Sequence, residues 1–418
     1  MQSDSGRQLS SRTALLAVAY AFAVTMIGTT MPTPLYPIYQ RHIHFSALMV
    51  TVVYAAYGVG VLLALLLLGP LSDRYGRRRI LIPGLAAAAV SSIVFLLAQS
   101  LPVLLVGRVI SGLSAGVFTG TATAALIDLT PEELRPRATL IATAVNTGGL
   151  GLGPLIAGAL AQFVPDPLRV PYALHLALLI PAIALVALIP DTGAKQDAPL
   201  RLARLGVPPE VRATFIRSGA AAFAAFATMG LFSAVAPAFL AKLLGLPSHL
   251  LSGAVVFALF AASTVGQLSL GRFSTRHALA VGCAIMIVGM ASIAGGLAAS
   301  SLALLLIGAT VGGFGTGLSF RAGLAAVNAE APPNRRGELN SSFFVVAYLA
   351  LSIPIVGVGV ATKALGLRDA GLVFSACVVA LALAVLLGQT GAALSSGRRA
   401  RRPGRPRSEA TEGSTGSR

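Results

Sequence analysis

Charged residues make up only 11% of this 418-residue chain, while apolar ones make up 56%. A soluble domain carries about a quarter of its residues charged, so a soluble fold is excluded. Acids are scarcer than bases, 14 Asp and Glu against 31 Lys and Arg. Cysteine occurs twice, and Cys283 and Cys377 stand far apart in apolar runs without ligand spacing. They read as small buried hydrophobes, with neither a disulfide nor a metal site. No phosphate-cradling Gly-x-x-x-x-Gly-Lys loop is present. Nucleotide hydrolysis of that type is therefore excluded, and no cofactor is expected.

Long apolar runs are what the chain has in abundance. About 20 helical residues at about 1.5 Å each cross a hydrocarbon core of about 30 Å. Runs bounded by Pro, Gly or charge predict helices over 13–34, 46–68, 80–99, 101–127, 138–162 and 171–189. Six more are predicted over 213–240, 248–270, 278–299, 301–326, 337–361 and 369–390. The expected architecture is an all-α polytopic membrane protein of 12 transmembrane helices in two six-helix pseudo-repeats. Residues 1–12 form the N-terminal segment, 13–189 and 213–390 the two bundles, and 190–212 a polar linker. Residues 391–418, rich in Arg, Gly, Pro and Ser, read as a disordered basic tail. Arg7 and Arg12 ahead of an apolar run imitate a secretory signal, but the further spans favour an uncleaved first helix.

A net charge of +17 raises the question of nucleic acid, and its distribution answers it. With these spans, Arg41, Arg169, Lys242, Lys363 and Arg368 fall on the outer side, Arg108 falls deep within a span, and every other basic residue falls on the inner side. That is the positive-inside asymmetry, not a nucleic-acid face. It predicts a multi-pass cell-membrane protein with both termini cytoplasmic, in contact with lipid and not with nucleic acid.

Between the second and third spans lies the charged hairpin Gly69-Pro-Leu-Ser-Asp-Arg-Tyr-Gly-Arg-Arg-Arg-Ile80. Four arginines are favourable on the cytoplasmic face and costly in lipid, which sets this turn inside. Gly69, Asp73, Arg74, Gly76, Arg77 and Arg78 keep the spacing of the loop between helices 2 and 3 of major facilitator superfamily transporters, and the chain closely resembles drug and proton antiporters of that family. The resemblance implies a conformational latch. Asp73 would sit near the start of helix 11, and an arginine of the turn would pair with an acid ending helix 4. A carboxylate at a helix N-terminus is favourable on physical grounds as well. Asp128, Glu330 and Glu338, near inner helix ends, are the candidates for gating pairs with latch or loop arginines.

The family implies two parallel repeats, and the chain carries an internal match of its own. Sliding it by 201 residues places Gly107, Gly112, Gly116, Ala124, Ala125, Pro131 and Arg135 on Gly308, Gly313, Gly317, Ala325, Ala326, Pro332 and Arg336. The hairpin has only a partial echo at Gly266 to Arg276, without an aspartate.

Arg108 lies deep in helix 4, where an arginine costs about 2.5–3.5 kcal/mol, so it should face a cavity or a polar partner. The run Gly107-Arg108-Val109-Ile110-Ser111-Gly112 resembles the family's helix 4 motif, which implies a role in solute or proton coupling. Arg321, nearer the inner surface, reads as reaching towards it. All 14 acids fall in loops, tails or helix ends. This departs from the many antiporters that carry a mid-membrane carboxylate. A cavity holding Arg108 and no acid should favour neutral or anionic solutes over lipophilic cations.

Helix 5 carries Gly149, Gly153, Pro154 and Gly158 in an order similar to an exporter element, with Leu140 and Ala157 replacing two family glycines. Asn146, Gln267 and Asn340, with Tyr54, Tyr57 and Tyr348, are candidates to line the path; interhelical hydrogen bonding is the competing explanation. Pro32, Pro34 and Pro37 beside Tyr36 and Tyr39 mark an irregular outer end of helix 1, suited to a gate. Gly112-Leu-Ser114-Ala-Gly116 with His175 also imitates an intramembrane serine protease, although a glycine ladder explains the same spacing. The sequence reading is thus a monomeric transporter, not an enzyme, exporting a small organic solute with protons as the candidate coupling ion. Import or facilitated passage of a metabolite is the alternative.

Overall fold

The computed structural model describes residues 9–67, 69–192 and 205–400, apart from the side chains of Gly69, Pro70, Asp73, Thr275, Arg276 and Thr390 onward. The expected terminal segment up to residue 8, the middle of the linker (193–204) and the tail from 401 lie outside the described residues.

The first span begins as α1 (Ser11–Thr30), capped by the Ser10 hydroxyl on the Thr13 amide. Its prolines turn it through a 3-10 step at Thr33–Leu35 into α2 (Tyr36–Ile43). Then follow α3 (Ala47–Leu67), the short α4 (Gly69–Tyr75), α5 (Arg77–Leu96), α6 (Leu101–Asp128), α7 (Arg135–Phe163) and α8 (Val170–Ala187). The second half comprises α9 (Arg212–Lys242), α10 (His249–Leu268), α11 (Thr275–Ala298), α12 (Leu302–Glu330) and α13 (Arg336–Ala400). Among the described residues 11 helical stretches are long and apolar enough to cross a bilayer, and the last, Pro333–Gln389, is two spans joined at Gly366. That makes twelve crossings. Gly366 sits at φ 83 and ψ 166, a conformation essentially confined to glycine, and it replaces the loop expected between 361 and 369.

The 201-residue register is a structural one. α6 and α12 start at Leu101 and Leu302, α7 and α13 start at Arg135 and Arg336, and 3-10 turns at Glu132–Leu134 and Pro333–Arg335 precede the latter pair. The matched glycines make matched approaches. A Cβ on Gly112 would overlap the Tyr57 carbonyl of α3, and one on Gly313 the Leu259 carbonyl of α10. Gly116 and Gly317 likewise abut α3 and α10, while Gly107 and Gly308 abut α5 and α11. Small residues let these backbones touch where apolar burial gives helices no preference over lipid.

Packing partnerships repeat in the same register. α3 with α6 and α5 with α6 in the first half answer to α10 with α12 and α11 with α12 in the second. Between the halves, α7 lies against α10 and α3 against α13, so each half offers the other the same pair of helices. α4 lies at one end of the bundle, the hairpin end, opposite the far end. Met26 and Met31 are buried.

Candidate functional site

A cavity of about 410 Å³ lies between the halves. Its lining runs from Thr30, Tyr54 and Tyr57 to Ile127, Thr139, Leu324 and Asn340 towards the hairpin end. All six of the sequence candidates, Asn146, Gln267, Asn340, Tyr54, Tyr57 and Tyr348, line it. Gln267 Nε2 donates to Thr147 Oγ1 across the halves at 3.0 Å, and Asn340 Oδ1 accepts from Asn328 Nδ2 at 2.9 Å. Asn146 has no such partner among the described residues. Among the described residues no Asp or Glu lines the cavity, and the one charged lining group is Arg321.

Arg108 is not on that lining, contrary to the sequence expectation of a cavity containing it. Its side chain is buried, 1% exposed, and caged by polar groups. Nε donates to the Tyr36 hydroxyl at 2.8 Å, Nη2 reaches the same hydroxyl, and Nη1 donates to the Thr29 carbonyl at 2.6 Å. The rings of Tyr36, Tyr54 and Tyr57 lie 5.3, 5.7 and 5.9 Å from the guanidinium carbon. Three aromatic faces and a carbonyl compensate a charge that has no carboxylate partner among the described residues. Tyr54 and Tyr57 separate it from the cavity, whereas Tyr36 also lines a hollow of about 40 Å³ at the far end. Arg108 thus stands between the two sides, and the outward snorkelling that length would permit is not taken.

The far end is shut. His249 Nδ1 donates to the Pro34 carbonyl at 3.1 Å, the His249 amide donates to Gln162 Oε1 at 3.1 Å, and the Ser248 hydroxyl reaches the same oxygen at 3.3 Å. The helix 5 motif belongs to this closure and not to the cavity lining. Gly149 and Gly153 abut α1, Gly158 abuts the His249 carbonyl, and the Pro154 carbonyl meets Gly253 of α10. α7 is therefore clamped between α1 and α10 where bulk would force them apart.

At the hairpin end Gly76 has φ 94, which α4 needs in order to turn straight into α5, and its Cα faces the Asp191 carboxylate. Arg77 Nε meets Asp128 Oδ2 at 3.0 Å, and Arg77 Nη1 donates to Ser72 Oγ at 2.8 Å. Asp191 accepts from the Arg78 amide at 3.3 Å and pairs with Arg79 at 3.7 Å, while Arg78 Nη1 donates to the Ala187 carbonyl. Asp191 was not singled out by sequence, because it reads as part of a polar linker; an acid directly after a span that ends beside four arginines was the available signal. Arg74 lies over the Tyr75 ring at 5.5 Å. Glu338 pairs with the loop residue Arg335 at 2.9 Å, and Glu330 is exposed without an ion pair among the described residues. The side chain of Asp73, on which the latch expectation rests, lies outside the described residues.

Ser114 and His175 do not meet. The Ser114 hydroxyl donates to the Gly84 carbonyl at 2.7 Å, and His175 Nδ1 lies 2.7 Å from Ser92 Oγ. His175 Nε2 is 3.0 Å from the Val24 carbonyl, which can only accept, so Nε2 carries the proton and Ser92 donates to Nδ1. The imidazole is satisfied in its neutral form, and no nucleophile arrangement forms around Ser114.

The Major Facilitator Superfamily model matches residues 18–355. Among characterised relatives, the chain is 27% identical over 165 residues to Multidrug resistance protein 1 of Bacillus subtilis, covering 40% of this chain and 42% of that one. It is 26% identical over 136 residues to the Staphylococcus aureus quinolone resistance protein NorA, covering 32% and 35%. The match therefore spans less than half the length of either relative. Among solved structures, the nucleoside transporter NupG superposes with a TM-score of 0.71 at 14% identity, covering 90% of this chain and 99% of that one. A bacterial homologue of the lysosomal transporter Spinster, inward-facing and unoccupied, gives 0.69 at 17% identity, covering 91% and 97%.

Proposed function

Because the chain belongs to the Major Facilitator Superfamily, we propose that it exports a small neutral or anionic organic solute across the cell membrane by alternating access. The observation that supports this best is the cavity between the two halves, shut at the far end and lined by no acid among the described residues. The arginine-rich hairpin is taken as cytoplasmic, by the positive-inside rule, so the solute enters from the cytoplasm. Release requires three contacts to part: the turn at Thr33–Leu35 from α10, α7 from α10, and α3 from α13. Each neutral hydrogen bond across them contributes about 0.5–1.5 kcal/mol, small enough to break and reform in every cycle. In the opposite state the hairpin end closes, with Asp73 approaching the start of α13, while Arg77 and Asp128 keep the hairpin fixed to its own half. Arg108 links the cavity floor to the far-end hollow and serves solute or proton coupling.

The exporter reading draws on the helix 5 glycines and on the drug-resistance function of the relatives named above. Inverted membrane vesicles decide it. An exporter accumulates solute in such vesicles when a proton gradient is imposed, and an ionophore abolishes the accumulation. Accumulation only in right-side-out vesicles would replace export by import.

A further inference from the structure

We propose that Arg321 anchors the charge of an aromatic monoanion, and that this anion takes over the place Thr143 now holds on the guanidinium. The inference rests on the transporter reading and narrows its solute class. Arg321 projects from α12 roughly 13 Å along the helix from its end at Glu330. Its one hydrogen-bond partner among the described residues is the Thr143 hydroxyl of the other half, at 3.2 Å. That hydroxyl gives its own proton to the Thr139 carbonyl at 2.9 Å, so it can only accept from Arg321. A single neutral acceptor compensates a partly desolvated guanidinium poorly, whereas a carboxylate or sulfonate offers two charged acceptors to the same fork.

The cavity around this charge is aromatic. Phe226 and Phe320 lie 5.0 Å apart by ring centroid, Phe226 and Tyr348 5.8 Å, and Phe320 and Phe344 6.2 Å. A volume of about 410 Å³ suits a drug-sized molecule. One cation and no acid among the described lining residues selects a single negative charge, disfavouring dianions, zwitterions and cations. Asn146, without a partner among the described residues, supplies a further hydrogen bond. Since Arg321 and Thr143 stand on opposite halves, exchanging Thr143 for the solute also unfastens the halves at this point, which joins loading to movement.

The test measures equilibrium binding to the purified full chain of three probes of one shape: radiolabelled 2-naphthoate, neutral 2-naphthamide and cationic 2-naphthylmethylammonium. Wild type is expected to bind naphthoate about tenfold tighter than the amide, and the ammonium weakest. Arg321→Gln is expected to lose the naphthoate preference while keeping its affinity for the amide, Arg321→Lys to retain part of it, and Thr143→Val to bind naphthoate at least as tightly as wild type. Should Arg321→Gln fail to fold, protection of Arg321 from phenylglyoxal in wild type, read by mass spectrometry, serves instead; naphthoate and not the amide must protect. Equal binding of naphthoate and amide by wild type, preference undiminished in Arg321→Gln, or equal protection overturns the anchor. Solute counterflow in proteoliposomes by wild type keeps the two ideas apart: counterflow without anion preference sinks the anchor alone, and Arg321-dependent binding without counterflow of any solute sinks the transporter reading alone.

Discussion

The two halves share a scaffold and differ in what they bury. Gly112 and Gly313 touch carbonyls of the equivalent neighbours, yet the interior of the first half holds the basic side chains Arg108 and His175, while the buried polar residues described in the second are hydroxyls and Gln267, set beside Cys283, Met286, Met290, Ile293 and Leu297. At the 201-residue register Arg108 corresponds to Ala309, which is fully buried. Backbone approach is thus a property of the repeat, and among the described residues a buried basic side chain is a property of one copy. A half that only had to pack would have no reason to carry a desolvated basic group, which costs stability unless partnered. Both copies supply the close packing, and the first alone adds buried basic groups among the described residues.

The sharpest attempt to break this contrast pairs Arg108→Leu with Ala309→Val. The first strands the Tyr36 hydroxyl and the Thr29 carbonyl and should lower transport at least about tenfold. The second should cost about 1–3 kcal/mol by overpacking and leave the rate of the folded protein intact; vesicle uptake and thermal unfolding measure the two. If both lose transport alike, the division of labour is wrong. Next come Gly112→Val and Gly313→Val, each pushing a side chain into a carbonyl. Losses of about 1–3 kcal/mol or more, matched between the two, are expected in thermal unfolding, and a clear mismatch would show the repeat to be unequal in energy. His175→Ala removes two buried hydrogen bonds and should cost about 1–3 kcal/mol. Thr228→Val in the second half removes a bond to the Ala224 carbonyl of its own helix and should cost less. The smallest effects belong to the ion pairs. Asp128→Asn and Glu338→Gln should each change stability by about 0–1 kcal/mol, because both acids are partly exposed. A transport defect in Asp128→Asn alone would mark the hairpin pair as the one that matters to the cycle.

Much of the fold was legible, for a physical reason: a bilayer imposes length, apolarity and charge asymmetry on every crossing, and these are visible residue by residue. The 201-residue match was legible because close helix contact admits only small side chains, so glycines survive in register. Arg108 was legible as a residue in need of partners, but not which partners, since Tyr36 lies 72 positions away and meets it only through the bend at Thr33–Leu35. The cavity's own cation was misread. Arg321, placed by its distance from the inner surface, looked free to reach water; the direction of a side chain around a helix depends on the neighbour's shape, which α7 supplies through Thr143. Asp191 escaped notice because a polar segment after a span resembles linker whatever it binds.

One consequence follows from the joint at Gly366. The first arm of α13 faces α3 across the molecule, the second arm packs within its own half, and a single residue connects them with no slack. A Cβ there would meet nothing within 4 Å, so only torsional preference reserves the position for glycine. With so short an elbow, the inner arm cannot swing without turning the outer one or spending the swing as rotation about that residue. The last two crossings therefore behave as a crank, and the stiffness of its pivot sets how far a tilt of one arm is felt by the lipid around the other.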